Sequence, residues 1–353
     1  MGNNYFKDRD IKSEKELNTL IYNDLPLFCD EFFVGINGRT TSLTRLNYAR
    51  DLKTFFDYCV KQVPYFFRKD IKPQDISLKD LEVITTTDIE KYLVYLNNTN
   101  SNTTKARKIS AVRCLFKYFF KKDKITRDVA SNVATPKIKE KEIIRLEVDE
   151  VAKILDNVES GEGLSKKQAA YHDRTKIRDT AIITLFLGCG LRISELVGLN
   201  IEDIDFNLNA LKVQRKGGSK VILYFNDEVQ KVLVEYINNG RSKMTKADGT
   251  PIEIQPSDSN ALFLSSKGTR MNVRTIENLV KKYAKTVNPL KKITPHKLRS
   301  TFGTNLYQET KDIYIVADVL GHKDINTTKK HYAAIDDMTR REAAKAVKLR
   351  DDE

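Results

Sequence analysis

Cysteine is scarce in this chain. Four residues, Cys29, Cys59, Cys114 and Cys189, are spread over 353 positions, each among apolar neighbours and none in a Cys-x-x-Cys pair. That excludes a zinc ribbon or a disulfide framework and predicts reduced thiols in a core. Apolar runs are short as well: none approaches the roughly 18 residues that span a bilayer, and MGNNYFKDRD carries no signal-type apolar region. Phe6 stands where a myristoylated Met-Gly start needs Ser or Thr. A cytoplasmic protein with no membrane partner is expected. There is no P-loop, and no Cys/His cluster or carboxylate triad at ligand spacing, so neither a nucleotide cofactor nor a metal is expected. With only 8 Pro and 15 Gly against 40% hydrophobic and 31% charged residues, the composition is that of a folded, helix-rich protein.

What the chain has in abundance is positive charge. Lys and Arg number 61 against 48 Asp and Glu, a net charge of +13, and they are spread along the whole length rather than gathered in a tail. A polyanion, and nucleic acid above all, is the natural partner. A basic surface serving solubility is the plain alternative, and a membrane surface the weaker one. At 353 residues the chain exceeds the roughly 250 to 300 at which single cores stop growing, so two domains are expected.

The pattern of apolar residues divides the chain accordingly. Residues 1–15 read as a polar tail, and 16–133 as a helical domain of four or five helices. From Glu16 to Phe33 apolar residues recur at helical spacing. Thr41 is a candidate N-cap for SLTRLNYARDLKTFFDYCV, which places Leu46, Ala49, Leu52, Phe56 and Cys59 on one face and Arg45, Arg50 and Lys53 off it. NTTKARKISAVRCLFKYFFKKD repeats the scheme, with Ile109, Val112, Leu115, Phe116 and Phe119 inward and Lys105, Arg107, Lys108, Arg113 and Lys117 outward. Such basic faces suit phosphate contact, and they suit plain solvation equally well. Residues 134–146 contain Pro136, lose the helical period and alternate charges, which is the composition of a linker. The second domain, 147–353, is also mainly helical. One hairpin stands out in ALKVQRKGGSKVILYF, two strand-like runs around a Gly217-Gly218 turn.

Histidine is rare, and three of the four, His296, His322 and His331, fall near the end of the chain; His172 is the fourth. Each alone reads most simply as structural. Their company changes that. In ITPHKLRSTFGTNLY, Thr294 and Pro295 can open a helix that carries His296 and Arg299 three apart on one face near its positive end, a phosphate site in outline. DIYIVADVLGHKDINTTKKHY gives an apolar helix that Gly321 can stop, then His322, then Tyr332. GCGLRISELVGL puts Arg192 just after a glycine-broken helix with Glu195 placed to hold its guanidinium. In isolation such a pair is usually a structural ion pair.

Taken together, Gly-Leu-Arg-x-x-Glu-Leu, a Lys on a hairpin, His-x-x-Arg, Leu-Gly-His and a late Tyr, in this order, resemble the tyrosine recombinases, the phage integrase and Xer-type family. The resemblance covers about residues 146 to 335, and the preceding helices resemble the family's core-binding domain. It implies a mainly α protein with a small β-hairpin or sheet, a helical core-binding domain and a catalytic domain that clamp duplex DNA like a C. It implies strand cleavage and rejoining through a 3′-phosphotyrosine, with a homo-tetramer, or a hetero-tetramer with a second recombinase, on two DNA sites, and an accessory directionality factor as a further partner. Arg192 and Arg299 match the arginines that clamp the scissile phosphate, Lys216 the hairpin general acid with Lys220 as the alternative, and His296 the general base or phosphate orienter. His322 matches the histidine that hydrogen-bonds the phosphate, and Tyr332 the nucleophile. Tyr332 stands ten residues after His322, one more than the family spacing, directly after His331, and no tyrosine follows it. AAIDDMTRREAAKAVKL resembles the family's C-terminal segment that docks on a neighbouring protomer, self-docking being the alternative. A type IB topoisomerase, with the same chemistry, and a non-catalytic DNA-binding regulator are the competing functions.

Overall fold

The computed structural model describes residues 5–138, 144–215, 217–322, 324–326 and 328. Two compact units divide the chain, Asn4–Lys141 and Glu142–Glu353.

In the first unit six helices lie among the described residues: α1 (Tyr5–Asp24), α2 (Phe28–Ile36), α3 (Ser42–Gln62), the short α4 (Pro64–Arg68), α5 (Thr86–Tyr95) and α6 (Asn102–Phe120). The stretch expected to be a loose tail is thus helical from Tyr5 onward. From Tyr5 on it contains neither Pro nor Gly, its Lys, Arg, Glu and Asp residues tolerate a helix, and propagation from the buried anchors Leu17 and Ile21 carries the helix outward. The single run expected from Glu16 to Phe33 is broken at Leu25-Pro26-Leu27, because proline cannot continue the hydrogen-bond ladder. α3 begins as the sequence indicates, with the Thr41 side chain accepting from Thr44 N–H. Its Leu46, Ala49, Leu52, Phe55, Phe56 and Cys59 meet Ile109, Val112, Leu115, Phe116 and Phe119 of α6 in one apolar core.

The basic faces of this unit differ from the expectation. Arg45 is buried and donates to the carbonyls of Asn37 and Thr40 and to Glu14. Lys105 and Lys108 of α6 are buried too: Lys105 Nζ reaches Asn97 Oδ1 at 2.6 Å, and Lys108, with Arg107, grips the buried Asp51 of α3. Arg113 donates to the carbonyls of Ala130 and Val133. A long cationic side chain on an inward helix face is retained only where carboxylates or carbonyls receive it, and here they do.

The second unit is built from α7 (Val148–Ser160), α8 (Lys166–Cys189), α9 (Ile193–Gly198), α10 (Asp227–Glu235), α11 (Val273–Val287), α12 (Pro295–Thr310) and α13 (Ile313–Leu320), with the strands β1 (Ile204–Asp205), β2 (Ala210–Gln214) and β3 (Lys220–Tyr224). Leu146, at the end of the expected linker, is already buried here, its N–H donating to Thr301 Oγ1 at 3.0 Å. The strands form one antiparallel sheet in the order β1-β2-β3, with Leu211 opposite Leu223 and Gln214 opposite Lys220. The hairpin closes through Arg215 N–H on Ser219 O and Gly218 N–H on Arg215 O. Side-chain parity follows the pleat, so Leu211, Val213 and Arg215 all turn inward. Behind the site, the buried Asp179 accepts from Arg178, Lys282, Thr175 and the Tyr283 hydroxyl, which also contacts His172 Nδ1. His172 therefore belongs to a core network. Among the described residues no helix is long and apolar enough to cross a membrane.

Candidate active site

The site begins where α8 ends. Gly190 caps that helix at φ +60°, and a Cβ there would lie 2.2 Å from the Phe302 ring, so only glycine allows the left-handed turn and the close approach of α12. Two residues on, Arg192 is the N-cap of α9. Its N–H donates to Glu195 Oε2 at 2.8 Å, and its Nη1 to Oε1 at 2.7 Å. The Glu195 carboxylate is buried and also faces Arg299, whose Nη1 lies 3.7 Å from Oε2. One carboxylate thus orients both arginines that the sequence singles out.

Arg299 reaches this point from α12. Pro295 occupies the first turn as expected, but the Thr294 side chain does not cap it. Arg299 Nη1 donates to Gly190 O at 2.6 Å, and its Nη2 to Leu320 O. His296, one turn earlier on the same helix, is exposed. α13 supplies the remaining wall. It ends at Gly321 in the left-handed conformation, as its sequence indicates, and Gly321 O accepts from Arg192 Nη2 at 3.1 Å. His322 follows, its N–H on Ala317 O at 2.9 Å and its Nδ1 2.8 Å from the hydroxyl of the fully buried Thr328, which fixes the ring.

A third arginine joins them. Arg215, just after β2, is 8% exposed, donates from Nη2 to Val319 O at 2.5 Å, and its buried Nε meets no hydrogen-bond acceptor among the described residues. Burial pulls its pKa below the ordinary value; Glu195 opposes that shift, and the neighbouring Arg192 reinforces it. Arg215, Arg299 and Arg192 therefore hold the three successive carbonyls of Val319, Leu320 and Gly321 at the negative end of α13. Three guanidiniums thus gather at one helix end around a buried carboxylate, a cluster of forked donors suited to an anion.

The expected residues thus fall into two groups. Arg192, Arg299 and His322 come together around Glu195 and the end of α13, and His296 lies on the helix that carries Arg299. Lys216, Tyr332, His331 and the C-terminal docking segment lie outside the described residues. Lys220, the alternative to Lys216, is the exposed first residue of β3. Sequence reasoning missed Arg215 and Thr328. For Arg215 a signal existed: it has the inward parity of Leu211 and Val213, and a cation at a core position demands a reason.

The Phage integrase family model matches residues 144–338. "Tyrosine recombinase XerC" of Caldanaerobacter subterraneus is 33% identical over 344 residues, covering 93% of this chain and 89% of the relative. "Tyrosine recombinase XerS" of Streptococcus thermophilus is 30% identical over 89% of this chain and 93% of its own length. Among solved structures, the XerH site-specific recombinase bound to palindromic difH substrate, a post-cleavage complex, superposes with a TM-score of 0.65 at 21% identity, over 87% of this chain and 80% of that one.

Proposed function

This chain belongs to the phage integrase family, as a tyrosine-type recombinase that breaks and rejoins DNA at specific sites, and on that premise we propose how its residues share the work. The substrate is duplex DNA. The Tyr332 oxygen attacks a phosphodiester, forming an O–P bond as the bond from phosphorus to the 5′ oxygen breaks. A free phenol, with a pKa of about 10, is a weak nucleophile at neutral pH. His296, as base, takes its proton, and the cationic field around Arg192 and Arg299 favours the phenolate. Those arginines offset the charge that develops on the nonbridging oxygens, for which the forked guanidinium suits better than an ammonium. Lys216 gives a proton to the departing 5′ oxygen, and His322 hydrogen-bonds the phosphate. A 5′-OH of the partner strand then reverses the step, so the bond energy is kept in the phosphotyrosine and no nucleotide is consumed.

The single observation that carries this reading is the buried Glu195 carboxylate holding Arg192 and Arg299 from two separate helices. Strand exchange uses two DNA sites, and four protomers, all of this chain or two of a second recombinase, supply the four tyrosines. The segment after Tyr332 docks on a neighbouring protomer, and an accessory protein biases direction. The test is covalent trapping on a nicked suicide DNA substrate selected from the host's own sequence. Wild type yields a protein–DNA adduct and Tyr332→Phe yields none. An adduct that persists in Tyr332→Phe places the nucleophile elsewhere, and DNA binding without any adduct in wild type overturns the enzymatic reading. Relaxation of supercoils without paired sites would mark a topoisomerase instead.

A further inference from the structure

We propose that Arg215 is a positioning residue that ties the hairpin to the end of α13 and so serves the proton delivery assigned to Lys216; this rests on the recombinase reading above.

Arg215 is bound at both ends. Its backbone closes the hairpin, N–H on Ser219 O at 2.8 Å and O receiving Gly218 N–H at 3.0 Å. Its side chain crosses to α13, where Nη2 donates to Val319 O at 2.5 Å. The guanidinium also lies flat against Gly321: a Cβ on that glycine would fall 1.2 Å from Arg215 Nη1 and 2.4 Å from Cζ. The glycine of the Leu-Gly-His element therefore serves two ends, a left-handed helix stop at φ +61° and a bare Cα for Arg215 to rest on. The hairpin tip would otherwise be free to swing, since Gly217 and Gly218 both have positive φ and Gly217, Gly218 and Ser219 are exposed. Lys216 follows Arg215 directly in the chain. A residue at a glycine-rich tip can act as an acid on a defined oxygen only if something rigid holds its base, and general-acid catalysis depends steeply on that placement. Arg215, the residue that follows β2, donates from its side chain to the end of α13, and it reaches the same turn that carries His322 and whose Gly321 carbonyl accepts from Arg192.

The chemistry offers a readout that a purely structural role would leave unmoved. With an ordinary phosphodiester, cleavage forms the tyrosine O–P bond, breaks P–O5′, and needs a proton on the leaving oxygen. With a bridging 5′-phosphorothiolate the same attack breaks P–S, and the sulfur departs as a thiolate that needs none. Suicide substrates of both kinds are cleaved by wild type, Arg215→Lys, Arg215→Gln and Lys216→Ala, and the sulfur-to-oxygen rate ratio is taken for each. That ratio does not depend on how much of a preparation is folded, so a poorly folding Arg215→Gln still reports. The expected result is that Arg215→Gln slows cleavage of the oxygen substrate about 100-fold more than that of the sulfur substrate, raising the ratio as Lys216→Ala does, with Arg215→Lys in between. A ratio unchanged from wild type in both Arg215 variants overturns the proposal and leaves Arg215 a structural or phosphate-binding group. If wild type forms no adduct on either substrate, it is the recombinase reading that has failed.

Discussion

The two units of this protein bury their cations in opposite ways. In the helical unit the buried Arg45 meets Glu14, and the buried Lys108, with the half-exposed Arg107, meets Asp51, while Lys105 donates to the Asn97 amide. In the second unit Arg192, Arg215 and Arg299 share one carboxylate, Glu195, and take helix-end carbonyls for the rest. Charge that is matched on site is committed to the fold. Cations gathered round a single carboxylate at a helix end form a cluster instead. The contrast distinguishes the two sets of cations more sharply than residue type or net charge does, because all of these side chains contribute alike to the +13 total.

Neutralising the two carboxylates at the centres of these arrangements should break the symmetry. Glu195→Gln is expected to have the largest effect, since it removes the buried carboxylate that Arg192 and Arg299 share. A loss of about 3 kcal/mol is expected, roughly a 10 °C fall in Tm for a unit of this size, with adduct formation on the suicide substrate lost even at temperatures where the protein is folded. Wild-type cleavage in Glu195→Gln would contradict the idea that one carboxylate aims both arginines. Asp51→Asn should cost about 2 kcal/mol, less because Arg107 is half exposed and can turn to water. Its effect should be confined to thermal unfolding, with cleavage unchanged in the folded range; a loss of cleavage there would erase the distinction between the units.

The smallest effect concerns acid. Burial works to raise the Glu150 carboxyl, but hydrogen bonds from Lys291 Nζ, the Glu147 N–H and Asn288 Nδ2 outweigh it and hold its pKa below 4.5. A folded-state pKa below the unfolded one means the stabilisation is complete above about pH 4.5 and fades as the pH drops through and beneath that value. Glu150→Gln should therefore lower Tm slightly at neutral pH and flatten the Tm profile on its acid side. An acid limb as steep as that of wild type would show that Lys291–Glu150 contributes nothing.

Much of this was legible in the sequence, and the failures share one cause. The α3 and α6 cores, the Thr41 cap, the Gly321 stop and the two-strand hairpin follow from periodicity and local backbone preference, which the residues carry in themselves. So does the pairing of Arg192 with Glu195, three residues apart on one turn. The outward assignment of Arg45, Lys105 and Lys108 failed because a positive charge says nothing about whether its partner is solvent, phosphate or a carboxylate many residues away. The α1–α2 break was written in Pro26, which the apolar spacing around it obscured. Arg215 was passed over because it stands beside a lysine that drew attention, although strand parity already turned it inward with Leu211 and Val213.

The last turn of α13 also bears on when the enzyme becomes complete. Its Val319, Leu320 and Gly321 carbonyls are held by arginines 104, 21 and 129 residues earlier in the chain. No local folding event can bring these groups together, and loop closures of that length come late. During synthesis, α8, α9 and the hairpin emerge with their arginines still unplaced, and only the arrival of α13 draws them into register. A ribosome that stalls short of Val319 therefore releases a basic chain whose three arginines have not yet been gathered.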